Sequence, residues 1–393
     1  MMSKGLSMEI NLRRILPLRK SADVPKQLVA SQWQLMWWKF RKHRLAMVSL
    51  VIILTLYFVA IFAGFFAPQG MDTFSRRYIS APPQPINWID DGQLAPFVYA
   101  YKQKTDPVTL VRTYEPDPKK KIRLGFFVKG DPYKVGLHGI PIYPINQLAL
   151  TLDVHFFGTV AADDPFYMFG ADNVGRDLLS RMIYGSQVSL SIGLLSVFLS
   201  LLLGILLGGI SALAGGWIDN FIQRLIEVIK SIPDIPLWMA LATAVPPRWD
   251  PIYVYFGITI VLSLISWTGM ARVVRGKFLS LREEEFIMSA ELDGVPRLRL
   301  IFRHLIPSFM SHIIASATLA IPGMILGESA LSFIGVGLHK PVVSWGVMLN
   351  DALNIAAIAK YPWLMLPGAA LMITVLAFNY LGDGLRDAAD PYH

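Results

Sequence analysis

Six apolar stretches, at 45–67, 186–213, 219–245, 252–271, 309–333 and 362–382, each come close to the roughly 20 residues that a helix needs to cross a hydrocarbon core. Lipid offers the backbone no hydrogen-bond partners, so segments of this kind must bond internally as helices. Composition agrees: 54% hydrophobic residues, 16% charged residues and a mean hydropathy of +0.47 over 393 residues describe an integral membrane protein. The sequence therefore predicts an all-α polytopic membrane protein with six transmembrane helices.

Charge orients these helices. Lys and Arg outnumber Asp and Glu by 36 to 28. Much of the excess precedes the first run, in Lys4, Arg13, Arg14, Arg19, Lys20, Lys26, Lys39, Arg41, Lys42 and Arg44, against Glu9 and Asp23. Positive flanks stay in the cytoplasm, which accounts for the excess without nucleic acid. The run at 45–67 is expected to be a start-transfer anchor, not a cleaved signal peptide, because it spans a bilayer by itself and lacks a small-residue cleavage site. Six crossings then leave the N- and C-termini in the cytoplasm. Within the N-terminal segment 1–44, Trp33, Trp37 and Phe40 at helical spacing predict an interfacial helix on the inner surface. The absence of cysteine excludes disulfides and thiolate chemistry.

Between the first two runs lies a long extracytoplasmic insertion, 68–170, followed by a five-helix core, 171–385, and a tail, 386–393. The lysines of "PDPKKKIR" do not oppose that placement, since long loops translocate largely regardless of charge. Aromatic and β-branched residues in "KIRLGFFVKG" and "YKVGLHGIPIYPI", bounded by Gly and Pro, predict a few short strands in a small β-containing subdomain. Gly170 and Gly175 have the spacing of a phosphate loop, but Arg176 and Asp177 stand where Lys and Ser or Thr are needed. The plainer reading is a capped helix with Arg176, Asp177 and Arg181 facing water.

Inside the runs, Gly204 and Gly208, with Gly193 and Gly209, predict close approach of a neighbouring helix. Arg224, Glu227 and Lys230 recur every three residues and can pair with one another, before Pro233 and Pro236 interrupt the helix. Glu328 has no cation close in sequence and must face an interior or a partner surface. Glu227, Asp234 and Glu328 are the candidates for a polar pathway or gate.

The segment 273–307 lies in the cytoplasm in this topology. A polar helix should stop at Gly294, and Pro296 should start a second helix toward Pro307. A helical protrusion of this kind suggests a docking element for a soluble partner.

The same segment resembles the EAA loop of permeases from binding-protein-dependent ABC importers, Glu-Ala-Ala, three residues, Gly, nine residues, then Ile-x-Leu-Pro. Met288, Ser289 and Ala290 precede Gly294 at the required distance, and His304, Leu305, Ile306 and Pro307 follow it. Met288 replaces the family Glu; Glu284 and Glu291, one turn to either side, are the carboxylates able to substitute. "GADNVGRDLLSRMIYGSQVSLSIG", "GESALSFIGVGLHKPVVSWGVML" and "LAFNYLGDGLRDAADP" are similar to three further segments of the dipeptide/oligopeptide/nickel branch. The N-terminal anchor and large insertion resemble its C-type permease.

That resemblance implies a type I ABC importer permease fold in the bacterial cytoplasmic (inner) membrane. It implies a second, B-type permease, two ATPase subunits that hold ATP and Mg, and an extracytoplasmic solute-binding protein, with no cofactor bound by this chain. Met288, Ser289, Ala290, Glu291, Leu292, Asp293, Gly294, Val295, Arg297 and Pro307 form the coupling loop, with Ser289, Ala290, Leu292, Asp293 and Gly294 docking. The chain lacks GxxxxGK[ST], so ATP hydrolysis belongs to the partners. The rivals are an ion-gradient-driven secondary transporter using Glu227, Asp234 and Glu328, and an intramembrane enzyme. Neither inverted repeats nor an HExxH motif supports them.

Overall fold

The computed structural model describes residues 32–105, 107, 112–134, 151–161, 165–353 and 359–389. Helix α1 (Gln32–Lys42) covers the stretch expected to be helical before the first span, and α2 (Arg44–Ile61) and α3 (Ala63–Phe66) follow it. A sheet of β1 (Asn87–Asp90), β2 (Gln93–Thr105), β3 (Arg112–Lys134) and β4 (Thr151–Thr159) comes next. Then come α4 (Leu178–Ala214), α5 (Gly216–Lys230), α6 (Asp234–Ala242) and α7 (Pro251–Leu281). Short helices α8 (Glu285–Leu292), α9 (Arg297–Leu300) and α10 (Ile306–Ser308) lead to α11 (Met310–Ile334), α12 (Trp345–Asn350) and α13 (Leu366–Ala389).

Among the described residues, five helical segments are long and apolar enough to cross a membrane: α2, α4, α7, α11, and α13 with the turn before it. The run predicted as a third single span is instead α5 and α6, separated at Ser231–Pro233. Pro233 and Pro236 cannot donate to the ladder, and Pro233 caps a new helix rather than bending an old one. Other boundaries shift as well. Helix α4 begins well before 186 because Asp177 caps it, accepting the Ser180 N–H at 2.7 Å. Helix α7 runs into the predicted loop as far as Leu281, and α13 absorbs the start of the predicted tail.

Close packing between α4 and α7 explains the glycine pattern. A Cβ on Gly208 would stand 2.5 Å from Ala271 O, and one on Gly204 would stand 2.6 Å from Met270 Cβ. Buried hydroxyls seal the same seam: Ser263 Oγ donates to Ser196 O at 3.1 Å and Ser200 Oγ to Ser263 O at 3.3 Å. Backbone approach and interhelical hydrogen bonds replace the hydrophobic drive that lipid cannot supply. Gly193 meets α11 at Ile325, and Gly382 of α13 meets Leu319 of α11.

The sheet is antiparallel in the order β1-β2-β3-β4. Its long central strand serves two partners in turn, Arg112–Arg123 against β2 and Leu124–Lys134 against β4. "KIRLGFFVKG" lies within this strand, whose length exceeds the short strands predicted. Most of "YKVGLHGIPIYPI" falls outside the described residues. The sheet sits at one end of the bundle with α3 and the start of α4, and α1, α8, α9 and α10 occupy the other.

Candidate functional site

The corner between α8 and α9 is built like a helix stop. Gly294 adopts φ +71° and Val295 N bonds back to Ala290 O at 3.1 Å, the closure that a left-handed residue after a helix permits. Beyond it Pro296 accepts from Leu300 N at 2.9 Å and opens α9, which passes through a π-helical turn at Ile301–Leu305 into α10. One side of this hairpin is core: Ile287, Leu300, Ile301, Leu305 and Phe309 are buried against Val274 and Phe278 of α7 and Ala212 and Leu213 of α4. Phe278 and Phe309 meet edge to face with centroids 5.5 Å apart.

The other side is open. Met288, Ser289, Asp293, Gly294 and Pro307 are exposed, Val295 is half-buried, and Leu292 is 89% exposed, an apolar side chain at the apex. Ala290 departs from the predicted docking set: it is buried under the hairpin and fastens it to the bundle. The helical period explains this, since a position cannot share a face with both Ser289 and Leu292 and also reach the core. The side chains of Glu291 and Arg297 lie outside the described residues. Glu284 is exposed and contributes its carbonyl to α8, accepting from Met288 N at 3.1 Å.

Carboxylates proposed for a pathway separate into two environments. Glu328 on α11 is fully buried in a cage of hydroxyls. Ser344 and Ser332 donate to Oε1 at 2.7 and 2.8 Å, and Ser329 and Ser189 approach Oε2 at 3.3 and 3.5 Å. Each of three cage hydroxyls also accepts a backbone N–H: Ser189 from Trp345, Ser332 from Leu338 and Ser344 from Val347. Glu328 thus ties α4, α11 and α12 together and does not line an open path in this conformation. Glu227 is exposed and Asp234 is half-buried. Glu227 pairs with Arg224 at 2.6 Å, but Lys230 departs from the predicted triad and reaches across the Pro233 break to Asp234 at 3.2 Å.

The stretch expected to face water does not. Asp172, Asp177 and Arg181 are buried. Asp172 Oδ1 accepts from the Val174 and Arg176 N–H groups, both at 2.9 Å, and Oδ2 faces Arg176 Nε at 2.7 Å and Arg181 Nε at 3.4 Å. Burial pushes the Asp177 carboxyl up to about 6. Gly170 (φ +84°) and Gly175 (φ +92°) let this loop lie directly on the backbone of residues 75 and 81. Asp172 was missed as the organiser; the signal available was three charges and two glycines crowded before an apolar helix.

Comparison with known proteins gives this arrangement a relative. Residues 200–392 match the family described as binding-protein-dependent transport system inner membrane component, and residues 31–83 match the N-terminal TM domain of oligopeptide transport permease C. A putative peptide permease protein of Brucella ovis is 37% identical over 257 residues, 65% of this chain and 83% of that protein. The oligopeptide transport system permease protein OppC of Haemophilus influenzae is 40% identical over 227 residues, 58% of this chain and 70% of its own length. The dipeptide transport system permease protein DppC of Bacillus subtilis is 37% identical over 225 residues, 57% of this chain and 68% of its own length. The chain belongs to the inner-membrane permease family of binding-protein-dependent ABC transport systems, in its C-type peptide permease branch.

Proposed function

We propose that this chain is one of two permease subunits of an ATP-driven importer, that it takes up peptides or related small solutes, and that it is driven through the α8–α9 corner. The observation that carries the reading is Leu292 at the apex of the hairpin, exposed while the opposite face is core. An exposed apolar residue on a well-packed protrusion fits a groove on a partner. In this reading the partners are two cytosolic ATPase subunits carrying ATP and Mg, a B-type permease beside the chain, and a solute-binding protein on the far side.

Orientation follows from charge. Lys39, Arg41, Lys42, Arg44, Arg272, Arg275, Lys277 and Arg282 gather at the corner's end of the bundle, which supports a cytoplasmic corner and an extracytoplasmic sheet. The pair α5–α6 serves as the sixth membrane segment of a type I fold, broken where a pathway needs exposed backbone and charge. Glu227 and Asp234 remain the pathway candidates on that segment, and Glu328 is a positioning residue.

Hydrolysis at the ATPases moves this chain only if the corner contacts their closed and open states differently. Gly294→Arg and Leu292→Asp test the docking surface. Both variants should insert and keep the second permease on co-purification, yet lose the ATPase subunits and tripeptide uptake. Uptake that persists in both, or that survives deletion of the ATPases, overturns the reading in favour of a gradient-driven carrier.

A further inference from the structure

The sheet is fixed to the end of the first span. Gly64 of α3 lies directly beneath the Tyr133 ring of β3, where any Cβ would collide with it. His155 of β4 is fully buried, with Nδ1 2.6 Å from Ala67 O and Nε2 2.9 Å from Asp131 O. Asp131 Oδ2 accepts from Gly70 N at 2.8 Å and from Thr73 Oγ1 at 2.6 Å. Held on both strands, the sheet cannot swing without moving α3.

A row of aromatic rings crosses this junction. Phe58 of α2 lies 5.7 Å from Phe66 between centroids, and Phe66 lies 5.7 Å from Phe156 of β4. Phe65 lies 5.9 Å from Phe156 and 6.2 Å from Phe127 of β3, while Phe126 lies 5.6 Å from Phe156. Phe126 and Phe127 nonetheless remain 54% and 66% exposed. Phe127 sits at φ +56° between the pairs Phe126↔Phe157 and Val128↔His155, a backbone state costly for a bulky residue. Strain of this kind persists where a surrounding structure holds it, and is concentrated at functional positions.

Depth follows from helix geometry. From Arg44, the 18 residues of α2 rise about 27 Å, close to the ~30 Å thickness of the hydrocarbon core. Phe62, Phe65 and Phe66 therefore reach the far boundary of the bilayer, and the rings in contact with them share that level. Phe rings gain by burying apolar area at the headgroup/acyl boundary, as they do on the apolar face of interfacial helices. Lys129 and Lys134 are exposed on the same part of β3, within reach of headgroup phosphates.

We propose that the β3–β4 edge of the insertion is a membrane-interface anchor, with Phe126, Phe127 and Phe156 entering the leaflet on the sheet's side beside α2. The insertion then lies on the bilayer and turns its β1–β2 end away from it. This rests on α2 crossing the membrane and not on the importer assignment. The lipid is favoured over a protein partner because the patch is continuous with the lipid-facing rings of a span.

The chain has no cysteine, so Phe127→Cys, Phe156→Cys and Leu94→Cys each provide a unique spin-label site in the full chain. Leu94, 83% exposed at the β1–β2 end, is the aqueous reference. In phospholipid nanodiscs, labels at 127 and 156 should show an oxygen-to-nickel-chelate collision ratio several-fold above that at 94. A ratio equal to that at 94 overturns the proposal, as does shielding from both reagents, which would place a protein on the patch. Phe156→Cys decides the matter if Phe127→Cys does not fold.

Discussion

Arg275 on α7 holds Asp219 on α5 by two hydrogen bonds, Nε to Oδ1 at 2.6 Å and Nη2 to Oδ2 at 2.5 Å. Ser211 of α4 donates to the same carboxylate, and Gln223 Nε2 donates to Ser211 Oγ at 3.1 Å. Three helices meet there, about one turn from Phe278, which packs on the corner. The planar guanidinium matches a carboxylate in a way that an ammonium cannot.

On the proposed importer reading, Arg275→Lys should keep the ATPases bound while reducing tripeptide uptake, because the charge remains and the fork is lost. Arg275→Ala should destabilise the purified chain by about 2 kcal/mol, the scale of hydrogen bonds to a charged group. Denaturation midpoints in detergent, compared in a double-mutant cycle with Asp219→Ala, would measure the coupling. Additive effects would show that the pair does not act as one unit.

The hydroxyl cage makes Glu328 a structural acceptor. Glu328→Leu should cost about 3 kcal/mol, since four serine hydroxyls lose a shared acceptor in a buried site. Ser344→Ala should cost about 1 kcal/mol, from the lost cap on α12 together with one donor to Glu328. Glu227→Gln, on an exposed ion pair, should leave the unfolding midpoint unchanged. Equal effects of the Glu328 and Glu227 substitutions would contradict the assignment of only one of them to the core.

Asp177 gives a pH signature. Its carboxyl titrates near 6 in the fold and near its ordinary value, 3.8, when unfolded. Between those values the folded chain binds more protons than the unfolded chain, so stability falls as pH rises from about 4 to 6 and then levels off. Asp177→Asn keeps the cap on Ser180 and removes the titration. Melting curves from pH 4 to 7 should show a shallower decline for the variant, and an unchanged profile would assign the dependence elsewhere.

Two glycines in one bundle should respond oppositely to a methyl group. Gly208→Ala drives a Cβ into the Ala271 carbonyl and should separate α4 from α7, lowering the yield of folded chain. Gly269→Ala meets nothing within 4 Å and should be neutral or stabilising by up to about 1 kcal/mol. Size-exclusion profiles of the two variants make the comparison.

Several features are legible in the sequence. The stop at Gly294 and restart after Pro296 follow from local backbone chemistry, and α8 and α9 meet there as spacing predicts. Gly204 and Gly208 announced close packing for the same local reason. The third apolar run, 219–245, reads as one helix because hydropathy averages over a window, whereas Pro233 acts at a single bond. Strands β2 and β3 were underread because an exposed ribbon rich in lysine has no clean alternation.

What the sequence determined by itself is therefore what depends on short-range terms: membrane residence, the caps and the glycine contacts. The tertiary structure alone decided which partners the buried polar groups find. Asp172, Asp177 and Arg181 look like surface charges in one dimension, and Glu328, expected at an interior or partner surface, shows no partner there. Their partners Arg176 and Ser180 stand close in sequence, but Ser189 and Ser344 reach Glu328 from other helices. A charge is cheap in a low-dielectric interior only when such partners converge, and convergence belongs to the fold.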